Sequence, residues 1–396
     1  MDITIQPGKL SGTVAAIPSK SQAHRLLICA AFADRATTIY CPQINRDIQA
    51  TVDCLSALGA GIVRNETGFT IDPIRIIPVS AELNCCESGS TLRFFLPIVG
   101  ALGIDTTFLM EGRLPQRPLS PLWEELERMG CILTRPTDTT IRCRGQLNPG
   151  AYSISGGVSS QFITGLLFAL SLMGQESTLD VTGKIESLPY IGMTLDALQT
   201  FGIHIPEQAQ RYTVASHPFR SPGELPVEGD WSNAAFWLAA RELGSDLSVT
   251  NLNPLSHQGD RQVCAFLAQL EEKCTIDAAQ TPDLVPVLAV VAGAKKGAVF
   301  TNAARLRLKE TDRLATTAAM INRLGGSARI SGDELIVDGL GYSHGTVDAT
   351  NDHRIAMAAA VAATVCSGPV TVHNAQAVEK SYPHFWDDYR SLGGKL

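Results

Sequence analysis

No apolar run in this chain of 396 residues reaches the ~18 that a membrane-crossing helix needs; the longest are Phe162–Met173 and Ile355–Cys366. The opening, MDITIQPGKL, has no basic segment followed by an apolar block, so no secretion signal is expected. Charge is sparse, at 18%, and 32 Lys and Arg against 39 Asp and Glu leave a net −7, which argues against a general nucleic-acid binder. The ten cysteines contain no CxxC pair and no regular spacing, so they read as reduced thiols and not as a disulfide frame or a zinc site. What the chain does have is apolar material, 45% of its residues, enough for sizeable cores over two to three domains. A cytosolic α/β protein, most naturally an enzyme, is the class left.

One short pattern recurs along the chain: an apolar residue, two others, an apolar residue, then glycine. It stands at Leu55-Ser-Ala-Leu-Gly59, Leu126-Glu-Arg-Met-Gly130, Leu198-Gln-Thr-Phe-Gly202, Ile321-Asn-Arg-Leu-Gly325 and Tyr389-Arg-Ser-Leu-Gly393. Such a segment is a helix burying one face at i, i+3 and stopping at a residue free to turn left-handed. An alternating strand follows, as in Gly61-Ile-Val-Arg or Cys131-Ile-Leu-Thr. The glycines lie 71, 72, 123 and 68 residues apart, and the long gap holds a degenerate copy, Leu267-Ala-Gln-Leu-Glu-Glu-Lys-Cys. Six units averaging 66 residues are therefore expected. An all-parallel doubly wound sheet is the alternative, but neither a G-x-G-x-x-G nor a Walker-type loop is present to support it. Arg220-Ser-Pro-Gly-Glu-Leu-Pro-Val227, with two prolines and a glycine, is the best linker candidate and divides the repeats three and three.

Several helices open with small polar residues and a cation. Unpaired N–H groups and the positive dipole end already favour an anion there, so an added Lys or Arg asks for a phosphate or carboxylate between them. In Pro18-Ser19-Lys20-Ser21, Ser19 or Ser21 would cap, Lys20 would stand at the mouth, and Arg25 would lie one turn on. Ser88-Gly89-Ser90-Thr91-Leu92-Arg93 has the same logic, with Gly89 open to close approach. Ser159, Ser160 and Gln161 suit a phosphate or polyol, or are caps and nothing more. Arg113 and Arg117 share a loop, and Pro118 would begin the helix after it. In the second half, Lys309 and Arg313 flank Glu310 at i, i+4 on one expected helix face. His353 and Arg354 open another helix, and Lys380 precedes the terminal one. Asp283, ahead of the apolar Val285–Ala292 stretch, reads as a helix cap by default. Each alone is equally a capped helix with solvated charges. Together they suggest a small polyanion held between two lobes, with Asp283 and Glu310 placed among cations to move protons.

Pro18-Ser-Lys-Ser-Gln-Ala-His-Arg25, Lys309-Glu-Thr-Asp-Arg313 and Asp352-His-Arg-Ile-Ala-Met357 resemble the 5-enolpyruvylshikimate-3-phosphate synthase family. Arg117-Pro118, Ser159-Ser-Gln161, Ser187-Leu-Pro-Tyr190, Glu228-Gly-Asp230 and Lys380-Ser-Tyr-Pro383 keep the same order, so the resemblance runs from Ile17 to Phe385. It implies an inside-out α/β barrel of two lobes with three βαβαββ units each: residues 1–18 plus 228–396, and residues 19–227. The active site would lie in the cleft, and the first ligand would close the lobes. The implied reaction moves the enolpyruvyl group of phosphoenolpyruvate to the 5-hydroxyl of shikimate 3-phosphate, releasing phosphate, with no metal and no organic cofactor. Carried over by position, Lys20, Ser21, Arg25, Ser159, Ser160, Gln161, Ser187, Tyr190, Asp283 and Lys309 would hold shikimate 3-phosphate. Lys20, Gly89, Arg117, Gln161, Arg313, His353, Arg354 and Lys380 would hold phosphoenolpyruvate. Asp283 would act at the attacked hydroxyl, Glu310 at the methylene carbon, and Lys20 at the leaving phosphate. A cytoplasmic monomer open to the herbicide glyphosate is further implied.

Four positions depart from the family's pattern: Glu87 and Ser90 beside Gly89, Leu188 in place of a basic residue, and Trp231 in place of a smaller one. The sister transferase acting on a UDP-sugar would be expected to show Lys-Asn in place of Lys20-Ser21, and a cysteine in a mobile loop. The matching stretch, Glu111-Gly-Arg-Leu-Pro-Gln-Arg117, has none.

Overall fold

Each of the five recurrent glycines ends a helix with positive φ: +103° at Gly59, +119° at Gly130, +82° at Gly202, +84° at Gly325 and +89° at Gly393. A Cβ would make that conformation costly, which is why the punctuation is glycine each time. The degenerate copy is a helix as well, Val263–Gln269, and closes without one. In the computed structural model, which describes residues 1–215 and 217–396, the chain forms two compact units. One is Met1–Ile17 with Glu228–Leu396, the other Pro18–Val227.

The unit Pro18–Val227 carries helices α1 (Lys20–Ala31), α2 (Arg46–Ala57), α3 (Gly89–Leu102), α4 (Leu122–Arg128), α5 (Ser160–Leu172) and α6 (Leu188–Thr200). Its sheets are mixed, which rules out the all-parallel alternative. Thr37–Tyr40 pairs antiparallel with Gly68–Asp72, which pairs antiparallel with Gly61–Asn65. Ser80–Asn84 runs parallel to Asp105–Leu109, and Ala151–Ser155 parallel to Ser177–Thr182, each continued by antiparallel strands. Among the described residues no sheet closes on itself.

The expected linker is instead part of this unit. Glu224–Pro226 is an edge strand parallel to Thr37–Tyr40, and the Ser221 hydroxyl bonds the Ala36 carbonyl at 2.9 Å while accepting from Thr37 at 2.7 Å. Proline is tolerated there because an edge strand has one side with no ladder to complete.

The other unit carries α7 (Trp231–Glu242), α8 (Val263–Gln269), α9 (Val285–Ala294), α10 (Arg313–Arg323), α11 (His353–Ala363) and α12 (Phe385–Ser391). Its four-stranded sheet again begins with a parallel pair, Cys274–Asp277 beside Gly297–Thr301, and ends with two antiparallel ones. Val370–His373 lies between Ile3–Ile5 and Gly345–Asp348, so the two ends of the chain share a sheet.

Each unit has its own hydrophobic core. The longest apolar runs are helices apolar on every face, and burial explains the pattern: every residue of α11 is buried, as are Val285–Gly293 of α9. In the unit Pro18–Val227 α5 packs tightly against α3, since a Cβ on Gly165 would stand 2.3 Å from the Arg93 carbonyl oxygen. That close approach aligns the two helix starts that carry Gly89 and Gln161.

Candidate active site

In the unit Pro18–Val227 the candidate residues gather at four helix starts. Ser19, not Ser21, caps α1, accepting the Gln22 amide at 3.4 Å. Lys20 Nζ stands 2.9 Å from Asp47 Oδ2 on α2. Arg25 is 2% exposed and reaches across the unit. Its Nε donates to Thr194 Oγ1 at 2.9 Å, Nη1 to the Ser21 carbonyl at 2.7 Å, and Nη2 to Thr164 Oγ1 and the Tyr190 carbonyl at 3.3 and 2.9 Å. Four of its N–H groups are thus taken by neutral oxygens and one is left. Burial pulls this guanidinium down to about 10, against Tyr190 and Cys29, which favour its charge. A buried cation with neutral partners is a standing demand for an anion.

Ser88 caps α3, accepting the Thr91 amide at 3.2 Å, and Gly89 is the first helical residue. The Arg117 guanidinium lies directly over it, 2.5 Å from where a Gly89 Cβ would stand. Arg117 Nε is buried with no hydrogen-bond acceptor among the described residues. Pro118 does not begin a helix: α4 starts at Leu122, after a second proline, Pro121. Ser159 caps α5, with Ser160 buried beside it. Gln161 is held at both ends, its Oε1 accepting from Arg93 Nη1 at 2.7 Å and its Nε2 donating to Ser90 Oγ at 2.9 Å. Ser187 precedes α6 in a left-handed conformation, φ +56°, uncommon for a side chain with a Cβ and frequent where function holds a residue in place. Tyr190 is on the first turn of that helix.

In the other unit Arg313, first residue of α10, is the hub. Its Nε and Nη2 meet both oxygens of Asp352, at 2.8 and 3.1 Å. Nη1 reaches Asp283 Oδ1 at 2.7 Å, and Nη2 also pairs with Glu310. Lys309 Nζ is 3.1 Å from Asp283 Oδ1, and Arg354 Nη2 is 3.4 Å from Oδ2. Burial alone would raise the Asp283 carboxyl, but Arg354, Lys309 and Arg313 outweigh it and hold it well below the usual carboxylate range. Desolvation lowers Lys309, with Asp283 opposing.

Two local expectations are corrected here. Asp283 caps no helix: it lies in the 3₁₀ turn Pro282–Leu284, and α9 follows without a side-chain cap. Lys309 and Arg313 share no helical face, since Lys309 ends the 3₁₀ turn Ala304–Leu308 and α10 starts only at Arg313, with Asp312 as cap. His353 and Arg354 do open α11, where Asp352 accepts the Arg354 amide at 3.0 Å. Lys380 ends the 3₁₀ turn Ala375–Lys380, next to Ser381, whose hydroxyl pairs with Asn233 on α7.

Sequence reasoning gave no role to three of the side chains that build these groups, Asp47, Asp352 and Asp260, and took Arg93 only as a cation near the start of its helix. Asp352 stood in a quoted motif without a role of its own; besides capping α11 it neutralises Arg313, joining residues 39 positions apart. Asp260 is buried, receives the Ser232 hydroxyl, and is pushed up to about 6 by burial and then by Asp283, with Arg354 opposing. Trp231 has a structural account: it is buried at the start of α7, its Nε1 bonding the Asn253 carbonyl at 3.1 Å.

The architecture is shared with solved structures of the EPSP synthase of Acinetobacter baumannii. One has a TM-score of 0.82 at 21% identity, covering 100% of both chains, and another 0.81 at 22%, covering 99% of this chain and 98% of that one. Those figures define the fold class. Sequence goes further. The family model for EPSP synthase (3-phosphoshikimate 1-carboxyvinyltransferase) matches residues 5–281 and 270–389. The 3-phosphoshikimate 1-carboxyvinyltransferases of Clostridium kluyveri and Clostridium acetobutylicum are 36% and 37% identical over 416 and 418 residues, each match covering 100% of this chain and 98% of the relative. The chain belongs to the EPSP synthase family.

Proposed function

We infer that this chain moves the enolpyruvyl group of phosphoenolpyruvate to the 5-hydroxyl of shikimate 3-phosphate and releases phosphate, the shikimate-pathway step that leads to chorismate and the aromatic amino acids. It is a transferase, and its family and full-length relatives carry that activity. The observation behind the substrate assignment is Arg25, a buried guanidinium whose hydrogen-bond acceptors are all neutral. With Arg117 over the α3 start, it leaves the unit Pro18–Val227 short of negative charge where helix amides also point. A multiply charged anion meets that need.

In this reading Lys20, Ser21, Arg25, Ser159, Ser160, Gln161, Ser187, Tyr190, Asp283 and Lys309 hold shikimate 3-phosphate. Lys20, Gly89, Arg117, Gln161, Arg313, His353, Arg354 and Lys380 hold phosphoenolpyruvate. The 5-hydroxyl oxygen attacks the phosphate-bearing carbon, giving its proton to Asp283, while Glu310 protonates the methylene carbon to make a methyl group. The tetrahedral adduct then collapses: the methyl returns a proton to Glu310, the carbon–oxygen bond to phosphate breaks, and Lys20 protonates the leaving group. In the free protein three cations make Asp283 a weak base. Anionic substrates draw Lys309 and Arg354 to themselves, and the carboxylate regains basicity only when both are present. The cations that remain stabilise the developing charge.

Six βαβαββ repeats, three to a lobe in the inside-out barrel arrangement, are part of the same reading. The sheets that share one order, a parallel pair followed by two antiparallel pairs, support it. A monomer working in the cytoplasm belongs to the same reading; among the described residues no helix is long and apolar enough to cross a membrane. Phosphate release measured with both substrates is the test. Turnover is expected; no turnover, or turnover only with a UDP-sugar acceptor, overturns the assignment.

A further inference from the structure

Helices α1 and α2 are tied by two rungs one turn apart. The first is Lys20 to Asp47, 2.9 Å. The second is four residues further along both helices, where His24 Nδ1 and Thr51 Oγ1 are 2.7 Å apart. This inner rung continues: Thr51 Oγ1 is 2.8 Å from Thr91 Oγ1, which donates to Ser88 Oγ at 2.7 Å. Ser88 is the α3 cap, and its hydroxyl oxygen also takes the Thr91 amide. All four side chains have no exposed surface, so no water competes for their hydrogen bonds.

The protons in this chain run one way. A hydroxyl has a single proton, and that of Thr91 goes to Ser88. Thr51 must then donate to Thr91, which leaves His24 to donate from Nδ1. His24 Nε2 is accordingly the bare nitrogen, and it is buried with no partner among the described residues. Burial, then Lys20 and Arg25, hold the ring well below its ordinary pKa, in keeping with a neutral imidazole. The ring packs T-shaped against Phe94 of α3, centroids 6.3 Å apart and planes at 88°.

We propose that His24 is a positioning residue, the fixed donor of a buried His24–Thr51–Thr91–Ser88 chain that registers the start of α3, with Gly89 and Ser90, against Lys20 on α1. The assignment rests on the reading of Lys20 and Gly89 as phosphoenolpyruvate-binding residues. The outer rung is an ion pair that a phosphate can compete for when Lys20 turns to the ligand; the inner rung is out of reach of ligand and solvent. It keeps the two anion-binding helix starts in register while Lys20 exchanges partners. Threonine at 51 and 91 suits the task because one hydroxyl both accepts and donates.

Two measurements test this on the full-length protein. Nitrogen NMR of labelled histidine, with His24 assigned as the ring whose signals Thr51→Ser shifts, is expected to show a protonated Nδ1 and a bare Nε2 from about pH 5.5 to about pH 8.5. A proton on Nε2 overturns the chain's direction and with it the proposal. In steady-state kinetics, Thr51→Val, which removes the buried hydrogen bonds to both His24 and Thr91, is expected to raise KM for phosphoenolpyruvate roughly 10-fold. kcat and KM for shikimate 3-phosphate should stay within about two-fold, and Thr51→Ser should restore the parent value. Unchanged KM for phosphoenolpyruvate, or an equal rise for both substrates, refutes the positioning role. An inactive parent protein refutes the functional reading instead, and the NMR result then judges the chain alone.

Discussion

Arg313 and Asp352 form a side-on, two-point ion pair, Nε to Oδ2 at 2.8 Å and Nη2 to Oδ1 at 3.1 Å, with Arg313 1% exposed and Asp352 fully buried. Thr311 adds a hydrogen bond to the same carboxylate at 3.1 Å. One acid thus caps the start of α11, neutralises the α10 arginine and holds the loop before that arginine.

Removing that acid leaves a guanidinium buried with less than its share of negative charge. Asp352→Ala is expected to lose ~3–5 kcal/mol of stability, the usual cost of breaking one side of a buried pair. Denaturant unfolding checks it, and a midpoint close to the parent's would mean that Glu310 and Asp283 suffice for Arg313.

Glu310 pairs with the same arginine, yet Arg313 keeps Asp283 and Asp352 without it. Glu310→Gln is therefore expected to fold normally and to lower kcat by about 10²–10⁴-fold, the range for a lost acid–base group, with both KM values little changed. Unaltered kcat takes Glu310 out of proton transfer.

Arg25 has a double role. Arg25→Ala removes the donors that serve Thr164, Thr194, the Tyr190 carbonyl and the Ser21 carbonyl, so affinity for shikimate 3-phosphate and thermal stability should fall together. Arg25→Lys keeps the charge but not the planar fork, and calorimetry should find weakened binding there too. Full affinity in both variants would remove Arg25 from the binding site.

Asp260 sets a pH dependence. Its carboxyl is raised from 3.8 to about 6 by burial and by Asp283 and Asp230, against Arg354 and the Ser232 hydroxyl. Between those values the folded protein keeps a proton that the unfolded chain has released, so stability falls as pH rises through the window, and the penalty persists above it. Asp260→Asn removes the penalty. Its Tm advantage over the parent should be larger at about pH 7.5 than at about pH 4.5; the opposite trend contradicts the raised value.

Gly89 has no room for a side chain while Arg117 covers it, the two being 2.5 Å apart once a Cβ is added. Gly89→Ala should displace the guanidinium, raise KM for phosphoenolpyruvate, and weaken competitive inhibition by glyphosate in parallel. Inhibition unaffected by the substitution would separate the inhibitor from this helix start.

Much of the architecture, and several of the helix starts at which cations stand, were readable in advance because both are local. The recurrent apolar pair followed by glycine, as at Gly59 or Gly325, ends its helix, and Ser19, Ser88 and Ser159 cap theirs as short polar side chains do. Some misreadings are local, a helix start placed at Pro118 or ahead of Arg313, and others concern distant partners. Residues 220–227 look like a linker until Thr37–Tyr40 is available to pair with. Asp283 looks like a cap until Lys309, Arg313 and Arg354 surround it.

The order of residues alone determined where helices begin and stop, which faces are apolar, and which cations stand at helix starts, since capping, turn geometry and periodicity act within about one turn of chain. Tertiary structure decided which charges are balanced and which are left wanting. Arg313 faces three carboxylates and Arg25 none of those described, and no local rule distinguishes two arginines whose difference lies in partners dozens of residues away, brought near by the burial of apolar helices.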